Sequence, residues 1–280
     1  MEVIARGKIN LTLEIIGSRS DSYHNLQSII QTISLADEIS LYLNSGISVS
    51  GEGYGFEAGK SLVKKAAMLL KEKSGYSGGV RIYVKKNIPF QSGMGADSSC
   101  AAAVLKCLNV LWGIHFSLED LVLLASELGS DVPFFIFGGT AFMQGRGEQI
   151  TPLQSLPQTY FCALFPQLKL PMQKTSLAYA AIAKKGFDSG LRTISFSQKL
   201  QTGIPIVLND YYNCFDNIGS VLYAGYEFFR EQMYQAGADH IMMSGSGPAL
   251  ITPCQNEDQA LKICFNLLAV GHQATVFYTI

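Results

Sequence analysis

The chain has 280 residues, 48% of them hydrophobic and 15% charged, with a net charge of −1. That is enough length for one large or two ordinary domains with buried cores, and the composition excludes a disordered protein. No Lys/Arg excess or run marks a nucleic-acid or acidic-membrane partner, and no stretch reaches the ~18 apolar residues of a membrane span, so a cytoplasmic enzyme acting on small molecules is expected.

The six cysteines (Cys100, Cys107, Cys162, Cys214, Cys254 and Cys264) are scattered. Without a C-x-x-C pair or a histidine at ligand spacing, they read as buried, reduced thiols. The opening MEVIARGKIN mixes charge into its apolar residues and carries no export signal.

Residues 8–15 alternate, with Ile9, Leu11, Leu13 and Ile15 on one face and Lys8, Asn10, Thr12 and Glu14 on the other, the pattern of a half-buried strand. The polar face reads most simply as solvated. A polar turn over 18–24 follows, where Tyr23 and His24 fit either a nucleobase contact or plain loop filling. Strands are expected at 26–34, 37–43 and 47–50. The segment GEGYGFEAGKS ends like a nucleotide P-loop, but the position where that loop needs its first glycine holds Tyr54. Residues 60–73 read instead as an amphipathic helix with Leu62, Ala66, Leu69 and Leu70 on its apolar face, and 80–86 as a strand.

Residues 88–103, IPFQSGMGADSSCAAA, join that strand to a small-residue helix through a glycine turn. Helix N-termini leave amides unpartnered and glycines let backbone approach an anion, so Gly93, Gly95, Ser98 and Ser99 are candidate phosphate contacts, although many such turns bind nothing. The helix runs over 98–112, with a seam through Ala101, Ala102, Leu105, Leu108 and Trp112. Ser117 to Asp120 resembles a capping box opening a helix that ends at Leu128. Asp131, before a proline-containing apolar run over 132–137, is either a helix N-cap or a catalytic carboxylate.

A strand over 140–144 leads to Pro152 and Pro157, which flank the expected boundary between domains 1–154 and 155–280. Beyond it come a strand over 159–165, a helix near 174–184, a polar stretch to 202 and a long helix over 217–235. Strands at 241–243 and 249–251 flank a second glycine turn, Ser244-Gly245-Ser246-Gly247-Pro248, followed by a helix over 260–268 and a strand over 275–279.

Taken together and in order, ARGKINLTLEIIG with DSYHNL, IPFQSGMGADSSCAAAVLKCLN, LGSDVPFFIFGGTA and MSGSGPA resemble the signature of the GHMP small-molecule kinases. The resemblance implies an α/β (α+β) fold with an N-terminal ribosomal-protein-S5-like ATP-binding domain and a C-terminal ferredoxin-like domain, ATP and substrate lying between. Within the family the pattern is most similar to kinases acting on a cytidine diphosphate-linked methylerythritol in non-mevalonate isoprenoid biosynthesis. It implies transfer of the ATP γ-phosphoryl group to the substrate's 2-hydroxyl with Mg²⁺, by a monomer or weak homodimer.

Carried over by motif, Asp131 would orient and deprotonate the acceptor hydroxyl, and Lys8 would pair with it and stabilise charge on the transferred group. Pro89 and the loop Gly93, Met94, Gly95, Ala96, Asp97, Ser98 and Ser99 would hold the triphosphate, with Ser98 toward Mg²⁺ and Ser61 and Lys86 near the adenosine. Asn10, Tyr23, His24, Asp131 and Tyr179 would face the substrate, Tyr23 and Tyr179 as stacking faces and His24 at the base edge. Gly245 to Gly247 would shape the far wall.

The family loop is usually GLGGGSS, so Ala96 and Asp97 replace two glycines. Arg6-Gly7, Ser22, Ser61 and Cys100 are smaller departures. A carboxylate about 4 Å from a phosphate charge costs roughly 4 kcal/mol at an effective dielectric near 20, unless Asp97 points to solvent or helps hold the metal. Two other readings stand beside the first: a GHMP kinase for another small alcohol, such as mevalonate or homoserine, and a kinase-like binding protein whose altered loop has lost turnover.

Overall fold

The computed structural model describes residues 1–21, 23–59 and 61–280. Lys60, expected to open the first helix, and Ser22, in the expected turn, lie outside the described residues.

Strands β1 (Glu2–Ser18) and β2 (His24–Asn44) form a long antiparallel pair running from Glu2↔Ser40 to Ser18↔His24. The two strands expected at 26–34 and 37–43 are therefore one. Its C-terminal half pairs with β4 (Gly79–Lys86), which carries β3 (Ser48–Gly53) in parallel at the sheet edge. The N-terminal half of β2 pairs with β5 (Thr140–Gly145), itself followed by β6 (Gln149–Pro152). On the other side of β1 lies β8 (Tyr212–Asn213), in parallel.

Helices α1 (Leu62–Ser74), α2 (Ala96–Leu111), α3 (Leu118–Leu128) and α4 (Val132–Phe137) share a core with this sheet, where Ala66, Leu70, Ala101, Leu105 and Phe134 meet Leu41, Ile82 and Val84. Ser61 caps α1 by accepting from the Val63 amide, and Ser117 and Asp120 form the expected capping box on α3.

A second, antiparallel sheet has the order β11 (Ala274–Tyr278), β7 (Tyr160–Leu164), β10 (Leu250–Cys254), β9 (Met242–Met243), with α8 (Tyr226–Ala236) and α9 (Glu257–Ala269) beside it. Between β7 and these elements run α5 (Lys174–Lys185), α6 (Leu191–Thr202) and the short α7 (Gly219–Leu222). A separate apolar core joins the two sheets: Ile9, Leu11, Ile29 and Ile33 pack with Phe161, Ala163, Met242, Ile251 and Phe277. All six cysteines are free thiols, five buried and Cys107 half-buried.

Two expectations are corrected. The long helix over 217–235 is broken into a 3₁₀ segment Cys214–Ile218, α7 and α8, because Gly225 turns left-handed at φ +87°. A Cβ at Gly219 would lie 2.3 Å from the Tyr226 ring, so the packing of that break needs a glycine there. The polar stretch before residue 202 contains α6, whose Phe196 and Leu200 are buried. Its N-terminal amides are capped from far away: the buried Glu14 carboxylate of β1 accepts from the Gly190 and Thr193 amides at 3.1 and 2.8 Å.

Candidate active site

The polar face of β1 is not solvated. Lys8, Asn10, Thr12 and Glu14 are each at most 4% exposed, as deeply buried as the apolar residues between them. Each of these four side chains has a partner, as burial requires. The Lys8 ammonium donates to Asn10 Oδ1 at 2.8 Å, the Asn10 amide donates to Ser28 Oγ at 2.7 Å, and that hydroxyl donates to the Thr12 carbonyl at 2.6 Å. Lys8 is thereby fixed with its charge at the floor of a cleft of about 570 Å³.

Asp131 stands immediately before α4, where an N-cap would stand, but its backbone is helical and its side chain makes no capping bond. The carboxylate, 40% exposed, faces the cleft with Oδ2 3.7 Å from Lys8 Nζ. Sheet and helix thus bring together two groups separated by 123 positions (131 − 8).

Across from this pair the glycine turn enters α2. Gly93 and Gly95 are left-handed, at φ +86° and +70°, whereas Ala96 starts the helix in an ordinary conformation. The residues that replaced glycines therefore occupy positions that do not need one. With Gly95 at the N-cap and no side chain capping the helix, the first amides of α2 face the cleft wall formed by Gly93, Gly95, Ala96 and Ser98. Pro89 and Met94 also line it. Ser99 does not: its hydroxyl is spent on the Arg6 carbonyl at 2.6 Å, tying α2 to β1, which corrects the expectation that both serines face phosphate.

Asp97 has a partner that the sequence did not suggest. Its Oδ1 lies 3.0 Å from the Lys86 ammonium, which also contacts the fully buried Asp37 carboxylate at 2.7 Å. Burial opposes the lysine's charge, but the neighbouring Cys100 sulfur and the Asp37 and Asp97 carboxylates outweigh it and hold the Lys86 pKa above its ordinary value. Burial also pushes the Cys100 thiol up, and it donates to Asp37 at 3.4 Å. Lys86 and Asp97 border both the main cleft and an adjoining pocket of about 350 Å³ walled by Phe56, Ser61, Val84 and Phe90.

Because Asp97 is half-exposed and shares the Lys86 ammonium with Asp37, solvent and that cation screen its charge and its cost to a phosphate ligand is small. Asp97→Asn is expected to tighten the binding of inorganic tripolyphosphate about two- to fivefold, the scale of an exposed charge pair, which calorimetric titration checks.

At the opposite end the His24 ring stands 5.4 Å from that of Tyr179 but outside the cleft's lining, with Phe187 6.2 Å from His24 and Phe215 5.2 Å from Tyr179. Tyr179, Phe215 and Leu26 line the cleft. Tyr23 is placed elsewhere: it is exposed, with the Arg146 guanidinium 4.8 Å from its ring. Sequence reasoning missed Phe187, Phe215 and Lys174. The last lines the cleft from the first residue of α5, and in sequence only its position at a helix start hinted at it.

A small-residue loop leading into an uncapped helix, facing a buried lysine and a carboxylate across a cleft between two sheets, is the site of a phosphoryl-transfer fold. The chain matches the GHMP kinases N terminal domain over residues 61–139 and the GHMP kinases C terminal domain over 207–273, and it belongs to the GHMP kinase family.

Among its relatives, the 4-diphosphocytidyl-2-C-methyl-D-erythritol kinase of Dehalococcoides mccartyi is 41% identical over 283 aligned residues, covering 100% of this chain and 98% of that one. A solved 4-(cytidine 5'-diphospho)-2C-methyl-D-erythritol kinase superposes with a TM-score of 0.83 at 33% identity, covering 100% of this chain and 99% of the other. Homoserine kinase from Cytophaga hutchinsonii shares the fold, with a TM-score of 0.75 at 18% identity and coverage of 100% and 94%. Among the described residues no helix is long and apolar enough to cross a membrane.

Proposed function

We propose that the cleft transfers the γ-phosphoryl group of ATP to the 2-hydroxyl of 4-diphosphocytidyl-2-C-methyl-D-erythritol. The observation that carries this reading is the Lys8–Asp131 pair at 3.7 Å, between the glycine turn on one side and the aromatic end of the cleft on the other. The full-length likeness to kinases bearing that substrate's name supports the choice of acceptor.

In the proposed reaction Asp131 accepts the proton of the acceptor hydroxyl as its oxygen bonds to the γ-phosphorus and the bond to ADP breaks. Lys8, anchored by Asn10, sets its charge beside the reacting oxygens, where a fixed dipole or charge needs no reorganisation. The donor set suits a polyphosphate: Lys8, Lys86 and Lys174 line the cleft against the two carboxylates Asp97 and Asp131, and the α2 amides add an anion cradle. The Ser98 hydroxyl is the group that would hold Mg²⁺, which supplies charge neutralisation on phosphate oxygens. The side pocket near Ser61 and Phe90, whose lining mixes apolar with polar side chains, takes the adenosine, and Tyr179 with His24 takes the cytosine.

The test is turnover with Mg·ATP on the cytidylyl substrate beside mevalonate and homoserine, with product identified by phosphorus NMR. Activity on either small alcohol alone, or tight substrate binding without turnover, overturns the reading. Removing the stacking face gives a finer check. Tyr179→Leu is expected to raise KM for the cytidylyl substrate roughly tenfold, since base–aromatic stacking contributes about 1–3 kcal/mol, and to leave KM for ATP in place.

A further inference from the structure

The two glycine turns touch backbone to backbone. A Cβ at Gly93 would lie 1.9 Å from the Ser244 carbonyl oxygen, and one at Gly245 would lie 3.2 Å from the Gly93 oxygen. The C-terminal turn is held from behind: the Asn213 amide donates to the Met243 and Gly245 carbonyls at 2.6 and 2.7 Å, and the Tyr223 hydroxyl donates to the Ser246 carbonyl at 2.6 Å. The segment leading into the phosphate turn is anchored at its two ends, where Asp37 accepts from the Asn87 and Ile88 amides and the Lys8 amide donates to the Met94 carbonyl, and between those anchors one side chain reaches it from α5. The half-buried Lys174 ammonium donates to the Gln91 carbonyl at 2.8 Å and also to the Gly247 carbonyl.

The backbone around that ammonium is strained. Among the described residues three non-glycine positions adopt positive φ, and two of them are Gln91 at +55° and Gln173 at +57°, the residue that accepts from Lys174 and the residue before it. Each such position carries a steric cost in the left-handed region that glycine does not, so the local fold needs a compensating interaction.

We propose that Lys174 is a positioning residue, a charged clasp that holds the Gln91 segment and the Gly245–Gly247 turn together and so sets the phosphate turn in place for its nucleotide. The clasp works only as the ammonium. A neutral amine keeps two donors but gives up the charge-assisted part of both bonds. Burial, then the nearby charge of Lys8, brings the Lys174 pKa down to about 8, so the clasp loosens as pH rises through that value. The other titratable groups lining the same cleft are Lys8 on β1, Lys86 on β4, Asp97 on α2, Asp131 ahead of α4 and Tyr179 on α5 itself. Lys174→Met serves as the control for their titration.

The role in nucleotide placement rests on the proposed kinase reaction, whereas the clasp itself is testable without any ligand. Hydrogen exchange over residues 91–95 and 245–247, corrected for the intrinsic pH dependence, is measured at pH 7 and pH 9 in wild type, Lys174→Met and Lys174→Arg. Wild type is expected to lose protection about tenfold, the fall in protonated fraction for a group titrating near pH 8. Lys174→Met is expected to show the lowered, pH-9-like protection at both values, and Lys174→Arg, charged throughout, the full protection at both.

KM for ATP is expected to follow the same pattern, rising about tenfold between pH 7 and pH 9 in wild type but staying flat in Lys174→Arg. Equal protection in Lys174→Met and wild type, or a pH step that survives in Lys174→Met, overturns the clasp. A wild type without turnover on ATP and the cytidylyl substrate overturns the kinase reading instead and leaves the exchange result to decide the clasp.

Discussion

Asp131→Asn is expected to lower kcat by about 10²–10⁴-fold, the contribution of a positioned general base, with KM for ATP little changed. The side chain is 40% exposed and makes no capping bond, so the carboxamide replaces the carboxylate without disturbing α4. Lys8 remains anchored by Asn10 at 2.8 Å, so the cation stays where it was. What disappears is the group that receives the acceptor's proton, an interaction made only as the reaction proceeds. Such a loss falls on kcat and kcat/KM alike. Steady-state kinetics with unfolding midpoints alongside check both halves, and a variant retaining more than about a tenth of wild-type turnover would remove Asp131 from the base role.

Lys86→Met is expected to destabilise the protein by about 3–5 kcal/mol, the usual result of removing one partner of a buried ion pair. Asp37 is fully buried and accepts from the Asn87 and Ile88 amides at 2.7 and 2.9 Å as well as from Lys86. Those bonds fix the carboxylate in place, so it cannot turn to solvent when its cation is gone. Urea unfolding measures the loss, and the double variant Asp37→Asn/Lys86→Met is expected to recover most of it. A loss below about 1 kcal/mol in the single variant would mean that Asp37 does not carry a buried charge. Asp97, half-exposed on the far side of the same ammonium, can be solvated and contributes little to this effect.

Much of the site could be read from the chain because it is built from local chemistry. The alternation that marks β1, the two glycines that turn left-handed before α2 and the carboxylate before α4 are all properties of short stretches. What escaped depends on distant partners. The polar face of β1 reads as solvated by alternation alone, and partners distant in sequence make its burial tolerable: Ser28 and the Ile29 amide on β2, Asp131 ahead of α4 and the start of α6.

Locally α6 has only Gly190 at its N-cap and Ser189 accepting from the Leu191 amide, and Glu14 completes the cap from the first strand. The expected helix over 217–235 has continuous periodicity, which conceals the left-handed Gly225 and the contact that requires Gly219. Asp97 looked like a repulsive charge because the lysine it pairs with comes from β4, outside the turn and helix that carry the aspartate. Ser99 looked like a second phosphate hydroxyl because the Arg6 carbonyl that takes it lies 93 residues away (99 − 6).

The apolar core that joins the two sheets governs how molecules reach and leave the cleft. Ile9 and Leu11 of the first sheet and Phe161 and Phe277 of the second are essentially closed to solvent, the two phenyl rings stacked with centroids 5.4 Å apart. A close-packed hydrocarbon seam of this kind resists the lobe rotation by which many two-lobed proteins admit their ligands. Nucleotide and product are therefore expected to pass through the cleft mouth beside Phe90, Met172 and Ser246, without a rotation of one sheet against the other.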